Sequence, residues 1–138
     1  MEPTFWLDLF TYQTWKEFLE AGAKVSGFRE NRWNAVQRMK PGDILLCYLT
    51  GVSRWIGLLE VTGPGFKDTT PIWKGNEFPA RISVKLLAKL EPSTGIPVIE
   101  MKDKLSIFQN LKSPYAWTGR FRGSPYKWAT LDGQAVVE

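Results

Sequence analysis

Two neighbouring apolar runs, Ile44 to Leu49 and Arg54 to Val61, constrain this chain more than any other feature, and only Thr50-Gly51-Val52-Ser53 separates them. The short connection has hairpin-loop chemistry, so the runs pair as antiparallel strands. Neither run alternates cleanly; both place apolar side chains on two faces. An open meander with one wet face would alternate, whereas a closed barrel with helices packed outside would look like this. Lys40-Pro41-Gly42-Asp43, just upstream, is a strong turn signal, and turn chemistry accounts for Asp43.

The remaining elements follow from local pattern. Thr4 to Phe10 reads as a strand apolar on both faces. Thr14 and Glu17 have capping-box spacing for a helix that carries Trp15, Phe18 and Leu19 on one face and ends at Gly22. Lys24 to Phe28 is extended or looped, and Asn31 to Met39 is a second short helix with Trp33, Val36 and Gln37 on one face. Gly63-Pro64-Gly65 breaks the chain, and a loop runs to Pro79. Arg81 to Leu90 alternates: Ile82, Val84, Leu86, Ala88 and Leu90 point inward, while Arg81, Ser83, Lys85 and Lys89 form a basic outer face. A short strand at Gly95 to Ile99, a helix at Glu100 to Leu111, one strand within Ser113 to Lys127 and a short helix from Thr130 complete the reading. Repeats, low-complexity segments and an interdomain linker are all absent, and 138 residues suit one domain, residues 1–138, of the α+β class.

Composition then removes much chemistry. The chain has no histidine and one cysteine, which excludes a Cys/His zinc site, a Ser-His-Asp or Cys-His catalytic unit and an intramolecular disulfide. No cofactor or metal is expected. Cys47, mid-strand, is a small buried hydrophobe. Gly63-Pro64-Gly65-Phe66-Lys67 lacks the spacing and the Ser/Thr of a phosphate loop. Glu2 and Asp8 interrupt what a secretory signal would need, and no apolar run approaches the ~20 residues of a membrane span. The expectation is a cytoplasmic protein with no membrane partner.

What is left favours binding. The formal net charge is +4, unevenly spread: Lys104 to Leu131 holds Lys104, Lys112, Arg120, Arg122 and Lys127 with no Asp or Glu. Lys24 to Lys40 adds Arg29, Arg32 and Arg38 against Glu30 alone. Such local excess suits a polyanion. Aromatic residues make up 14% of the chain, with seven Trp. Phe5, Phe10, Phe18 and Phe108 sit in apolar runs and belong to a core, but Trp33, Trp55, Trp73, Trp117 and Trp128 have polar or turn-forming neighbours. Aromatic faces on loops are what stacking recognition of an unpaired base requires; the plainer alternative is that a small domain covers its core edges with Trp.

The order of these pieces resembles the EVE domain, a member of the PUA-like superfamily that also includes YTH domains. The resemblance rests on the Phe5-Trp6-Leu7 strand, the helical stretch ending in Met39-Lys40-Pro41-Gly42-Asp43, the strand Ile44 to Tyr48 and its partner Trp55 to Val61. The loop with Trp73, the strand Pro79 to Leu87, and Tyr115-Ala116-Trp117 leading to Arg120-Phe121-Arg122-Gly123 continue it. It spans Phe5 to Trp128. It implies a small mixed β-barrel flanked by short helices, and an aromatic pocket that takes one modified base flipped from DNA or splayed from RNA. EVE-type domains are associated with modified DNA in restriction and defence systems, and YTH domains with N6-methyladenine in RNA. On that basis Trp73 is a cage wall and Phe28, with Ser26 and Gly27, supplies the opposite wall; Trp33, Trp55 and Trp117 are further pocket candidates. Arg29, Arg32, Lys112, Arg120 and Arg122 are the phosphate-contact candidates.

Four functions compete. A DNA reader of modified cytosine or N6-methyladenine is favoured, with a nuclease or translocase partner or fused effector. An RNA-binding module of the same fold is second. A methyl-lysine cage is third, since Asp68 and Glu77 flank Trp73. An enzyme comes last, because acid–base work would fall to Asp8, Asp43, Glu60 or Asp68 with no sign of a working pair.

Overall fold

The apolar hairpin forms the middle of the sheet. The computed structural model describes residues 3–51, 53–75, 77–90, 96–97, 126–128, 133 and 136. The chain runs β1 (Phe5–Phe10), α1 (Tyr12–Glu20), β2 (Val25–Phe28), a 3-10 turn (Glu30–Arg32) and α2 (Trp33–Gln37). β3 (Ile44–Leu49), β4 (Arg54–Lys67), β5 (Ala80–Lys89), β6 (Ile96–Pro97) and β7 (Tyr126–Trp128) follow. The strand order is β2-β5-β4-β3-β1-β7, with β6 on β4. β1 runs parallel to β3, and the other ladders are antiparallel. The sheet curls into a half-barrel of the small α+β PUA-like type. Full closure by a ladder between β1 and β2 is not what forms: β1 already has β3 and β7 on its two edges. A side-chain bond spans that gap instead, with Ser26 Oγ donating to Asp8 Oδ2 at 2.6 Å.

The helices seat on bare backbone. α1 buries Trp15 and Phe18, which with Phe10 form an aromatic cluster at 4.9–5.4 Å between ring centroids. Trp15 lies against Gly57 and Val36 against Gly65, where an added Cβ would come within 2.8 Å and 2.7 Å of them. Any side chain on β4 at either position would push a helix away. Around these contacts Trp6, Leu45, Ile56, Leu59, Val61 and Ile82 fill the core.

Several local expectations are corrected. α1 is capped one turn earlier than Thr14: Thr11 accepts from the Thr14 amide and Thr14 Oγ1 accepts from the Thr11 amide. Glu17 is thereby freed to accept from the Lys74 amide at 3.0 Å. Lys24 to Phe28 contains a true strand. The second helix is shorter than Asn31 to Met39, and Gln37 is exposed while Val36 is buried. Gly63-Pro64-Gly65 does not end β4; a register shift between Val61 and Gly65 absorbs it, and pairing with β5 continues to Lys67. A second shift, at Leu58/Leu59, accompanies the loss of alternation in β5, where Leu87 and Ala88 are exposed, as is Leu90 just beyond it.

Arg81 departs most from its expected place on a basic outer face: it is 1% exposed. Asp43 does more than turn the chain, since its carboxylate accepts from the Thr4 and Lys40 amides and from the Trp6 indole, tying β1 to the start of β3. The short strand expected near Gly95 is Ile96–Pro97, and the strand expected before Lys127 is Tyr126–Trp128. Gly133 and Val136 are helical and buried. The helix expected at Glu100 to Leu111 lies outside the described residues.

Candidate functional site

The ends of β1 and β2 and the start of α1 open onto a cleft of about 550 Å³. Phe10, Phe28, Trp73 and Phe78 line it, the first three of them also part of the buried core. Thr11, Gln13, Thr14 and Thr50 give it hydroxyl and amide groups, and Arg29, Asn31 and Arg32 form a lip with two cations.

Trp73 is positioned from every side. It comes from the loop between β4 and β5, whose neck is closed by the Asp68 amide donating to the Pro79 carbonyl at 3.0 Å. The indole N–H donates to the Thr14 carbonyl at 3.2 Å. Lys74, next in sequence, is anchored on Glu17. The ring meets Phe78 edge-to-face with centroids 5.2 Å apart, and the Arg81 guanidinium lies over it at 5.6 Å. Gly27 makes the close approach feasible, because a Cβ there would sit 2.6 Å from Cζ3 of Trp73. Only 5% of Trp73 remains exposed.

One residue back in sequence from Leu9 and Gly27, which line the cleft, lies the buried Asp8–Ser26 bond. Burial pushes the Asp8 carboxyl up to about 7, against a smaller downward pull from the Ser26 hydroxyl. Burial, and then the neighbouring Asp8, also push the Cys47 thiol up, leaving it an inert part of the core.

The structure brings Trp73, Gly27, Phe28, Arg29 and Arg32 together on the cleft. Ser26 does not line it and is fully buried on Asp8. Trp33 does not line it: it is half-buried under Lys67, whose ammonium is 5.1 Å from the ring and 2.6 Å from Glu30. Trp55 is buried elsewhere, edge-to-face on Tyr48 at 5.5 Å. Trp117, Lys112, Arg120 and Arg122 lie outside the described residues. The sequence reading did not pick out Gln13, Asn31, Thr50, Phe78 or Arg81. The polar run Thr11 to Thr14 between an apolar strand and an apolar helix face was a usable signal for the first of these; Arg81 had none. Among the described residues, no group of acidic, Cys or His side chains could hold a metal ion, and no helix is long and apolar enough to cross a membrane.

No family model matches the chain. A UPF0310 protein of Pyrococcus abyssi is 29% identical over 147 residues, covering 98% of this chain and 97% of that protein. Among solved structures, the YTH domain-containing protein mmi1 in complex with RNA superposes with a TM-score of 0.69 at 7% identity, covering 99% of this chain and 80% of that one. The YTH domain of the Zygosaccharomyces rouxii MRB1 protein, in complex with N6-methyladenosine RNA, gives 0.65 at 12% identity, covering 98% and 84%. The chain has the fold of a YTH domain.

Proposed function

We propose that this protein is a nucleic-acid-binding module of the EVE type that reads one modified base, in DNA rather than RNA, and performs no reaction of its own. The observation that carries the reading is the pairing of aromatic walls, Trp73 and Phe28, with a lip of Arg29 and Arg32 in one cleft. Extruding a base from a duplex costs a few kcal/mol, and stacking returns ~1–3 kcal/mol per base, so an aromatic slot with a few edge contacts offsets the extrusion. Phosphate contacts from the arginines supply affinity independent of sequence. A methyl group on the base adds apolar contact and a preference of about tenfold to a hundredfold. A nuclease or translocase, in the same chain or as a partner in the cytoplasm, would act on the base that is read.

RNA carrying N6-methyladenine is the second reading, favoured by the N6-methyladenosine RNA bound to the Zygosaccharomyces rouxii domain. A methyl-lysine occupant is disfavoured: a guanidinium already lies over Trp73, and two more cations line the entrance.

The test is a titration with matched duplexes, single strands and RNAs carrying no modification, 5-methylcytosine, 5-hydroxymethylcytosine or N6-methyladenine, at two salt concentrations. One modified DNA should bind tighter than its unmodified match. Arg29→Ala and Arg32→Ala should each lower the salt slope by about one without changing that preference. Equal binding to all modifications would remove the base-reading function.

A further inference from the structure

The loop that carries Trp73 is built around a side chain that does not line the cleft. Arg81, on β5, is buried to 1% exposure, and its guanidinium donates to three backbone carbonyls: Thr70 at 2.6 Å, Glu77 at 3.0 Å and Phe78 at 3.1 Å. These acceptors bracket Trp73 on both sides in sequence. The planar guanidinium then lies over the indole it brackets. Asp68, the nearest carboxylate among the described residues at 3.7 Å, is half-exposed and already accepts from the Thr70 amide and hydroxyl. The charge of Arg81 is therefore met chiefly by carbonyl dipoles.

A buried charge met by backbone carbonyls dictates loop shape, because each carbonyl must point inward at a fixed donor. Phe78 shows the result. It holds φ at +44°, a left-handed conformation that a bulky residue keeps only when its surroundings impose it. Its carbonyl is one of those held by Arg81, and its ring is the edge-to-face partner of Trp73.

We propose that Arg81 is the positioning residue of the cleft: through the Thr70, Glu77 and Phe78 carbonyls it holds Trp73 and Phe78 in their edge-to-face contact at the cleft. The assignment of the occupant as a base rests on the reading given under Proposed function; the positioning of Trp73 does not. Lysine cannot replace this residue, since a single ammonium lacks the planar fork that reaches carbonyls on both arms of the loop.

Fluorotryptophan-labelled protein tests both parts, with the Trp73 fluorine resonance assigned by its loss in Trp73→Phe. In the ligand-free protein, Arg81→Lys and Arg81→Met should shift and broaden that resonance while those of Trp6 and Trp55 stay in place, and Asp68→Asn should leave it unchanged. Binding of the preferred modified oligonucleotide should weaken by about tenfold or more in both Arg81 variants, with unmodified, salt-sensitive binding held within about twofold. Should Arg81→Met fail to fold, Arg81→Lys alone carries the measurement. An unmoved Trp73 resonance in folded Arg81→Lys overturns the proposal. If wild-type protein prefers no modified oligonucleotide, the base-reading assignment falls, and the fluorine spectrum still decides whether Arg81 positions Trp73.

Discussion

Arg81 and Asp8 are both ionisable side chains with almost no solvent contact, one inside the loop that carries Trp73 and one bridging β1 and β2. They are treated oppositely. Arg81 meets three carbonyls and a nearby carboxylate, a set of acceptors suited to a permanent cation. Asp8 meets one hydroxyl, and burial pushes its carboxyl up to about 7. The loop around Arg81 supplies many carbonyls because its backbone is irregular. The strands around Asp8 spend their backbone groups on ladders and leave it, among the described residues, a single side-chain partner. A buried charge is thus secured where the chain departs from regular structure, and becomes a titrating group where it does not.

The largest effect that would break this contrast is on the cationic side. Arg81→Met leaves three carbonyls without their donor and should lower stability by about 3 kcal/mol, read by urea denaturation. A loss near zero would mean that the loop rehydrates freely and that Arg81 holds nothing.

Next comes the pH profile. The folded carboxyl of Asp8, at about 7, lies above its ordinary 3.8, so the native state binds the proton more tightly than the unfolded chain. The stabilisation linked to that proton is complete below the ordinary value and is lost as pH rises to about 7. Between pH 5 and pH 7 it should change by about 2 kcal/mol, and Asp8→Asn, which stays neutral and can still accept from Ser26, should flatten the profile. An identical profile in the variant would place the titration elsewhere.

A smaller effect concerns the seat of the wall. Gly27→Ala puts a methyl 2.6 Å from Trp73 and 2.9 Å from the Phe78 Cβ. It should cost about 1–2 kcal/mol by thermal denaturation and displace the Trp73 signal, because both neighbours are held and neither can yield cheaply. The smallest is Asp68→Asn, which should stay within about 0.5 kcal/mol, since Asp68 lies at the half-exposed margin of the Arg81 network. A large loss there would shift the weight of the network from carbonyls to the ion pair.

The sequence made the sheet legible and the wall opaque, for physical reasons. Two short doubly apolar runs joined by a hairpin loop, Ile44 to Leu49 and Arg54 to Val61, read as buried paired strands, and the aromatic character of Trp73 and Phe28 is intrinsic to the residues. Alternation placed Arg81 outside because alternation assumes a strand whose ends are free; here the end of β5 is roofed by the loop that precedes it, and only the folded loop presents the carbonyls. The Gly63-Pro64-Gly65 signal was real but local, and a shift of register let β4 pass through it. Glu17 was read as a capping partner because spacing alone cannot tell an N3 side chain from one that reaches a loop far along the chain.

The place of β1 in the sheet also has a consequence for how the chain is made. Its partners are β3, downstream of two helices, and β7, with Phe5 opposite Ile44 on one edge and Trp128 on the other. A strand that leaves the ribosome early must therefore keep one edge open until nearly all of the described chain has been synthesised. Assembly of the sheet is governed by long loop closures, and refolding should be slow for a chain of this size, with β1 as the segment to shield from intermolecular pairing in the meantime.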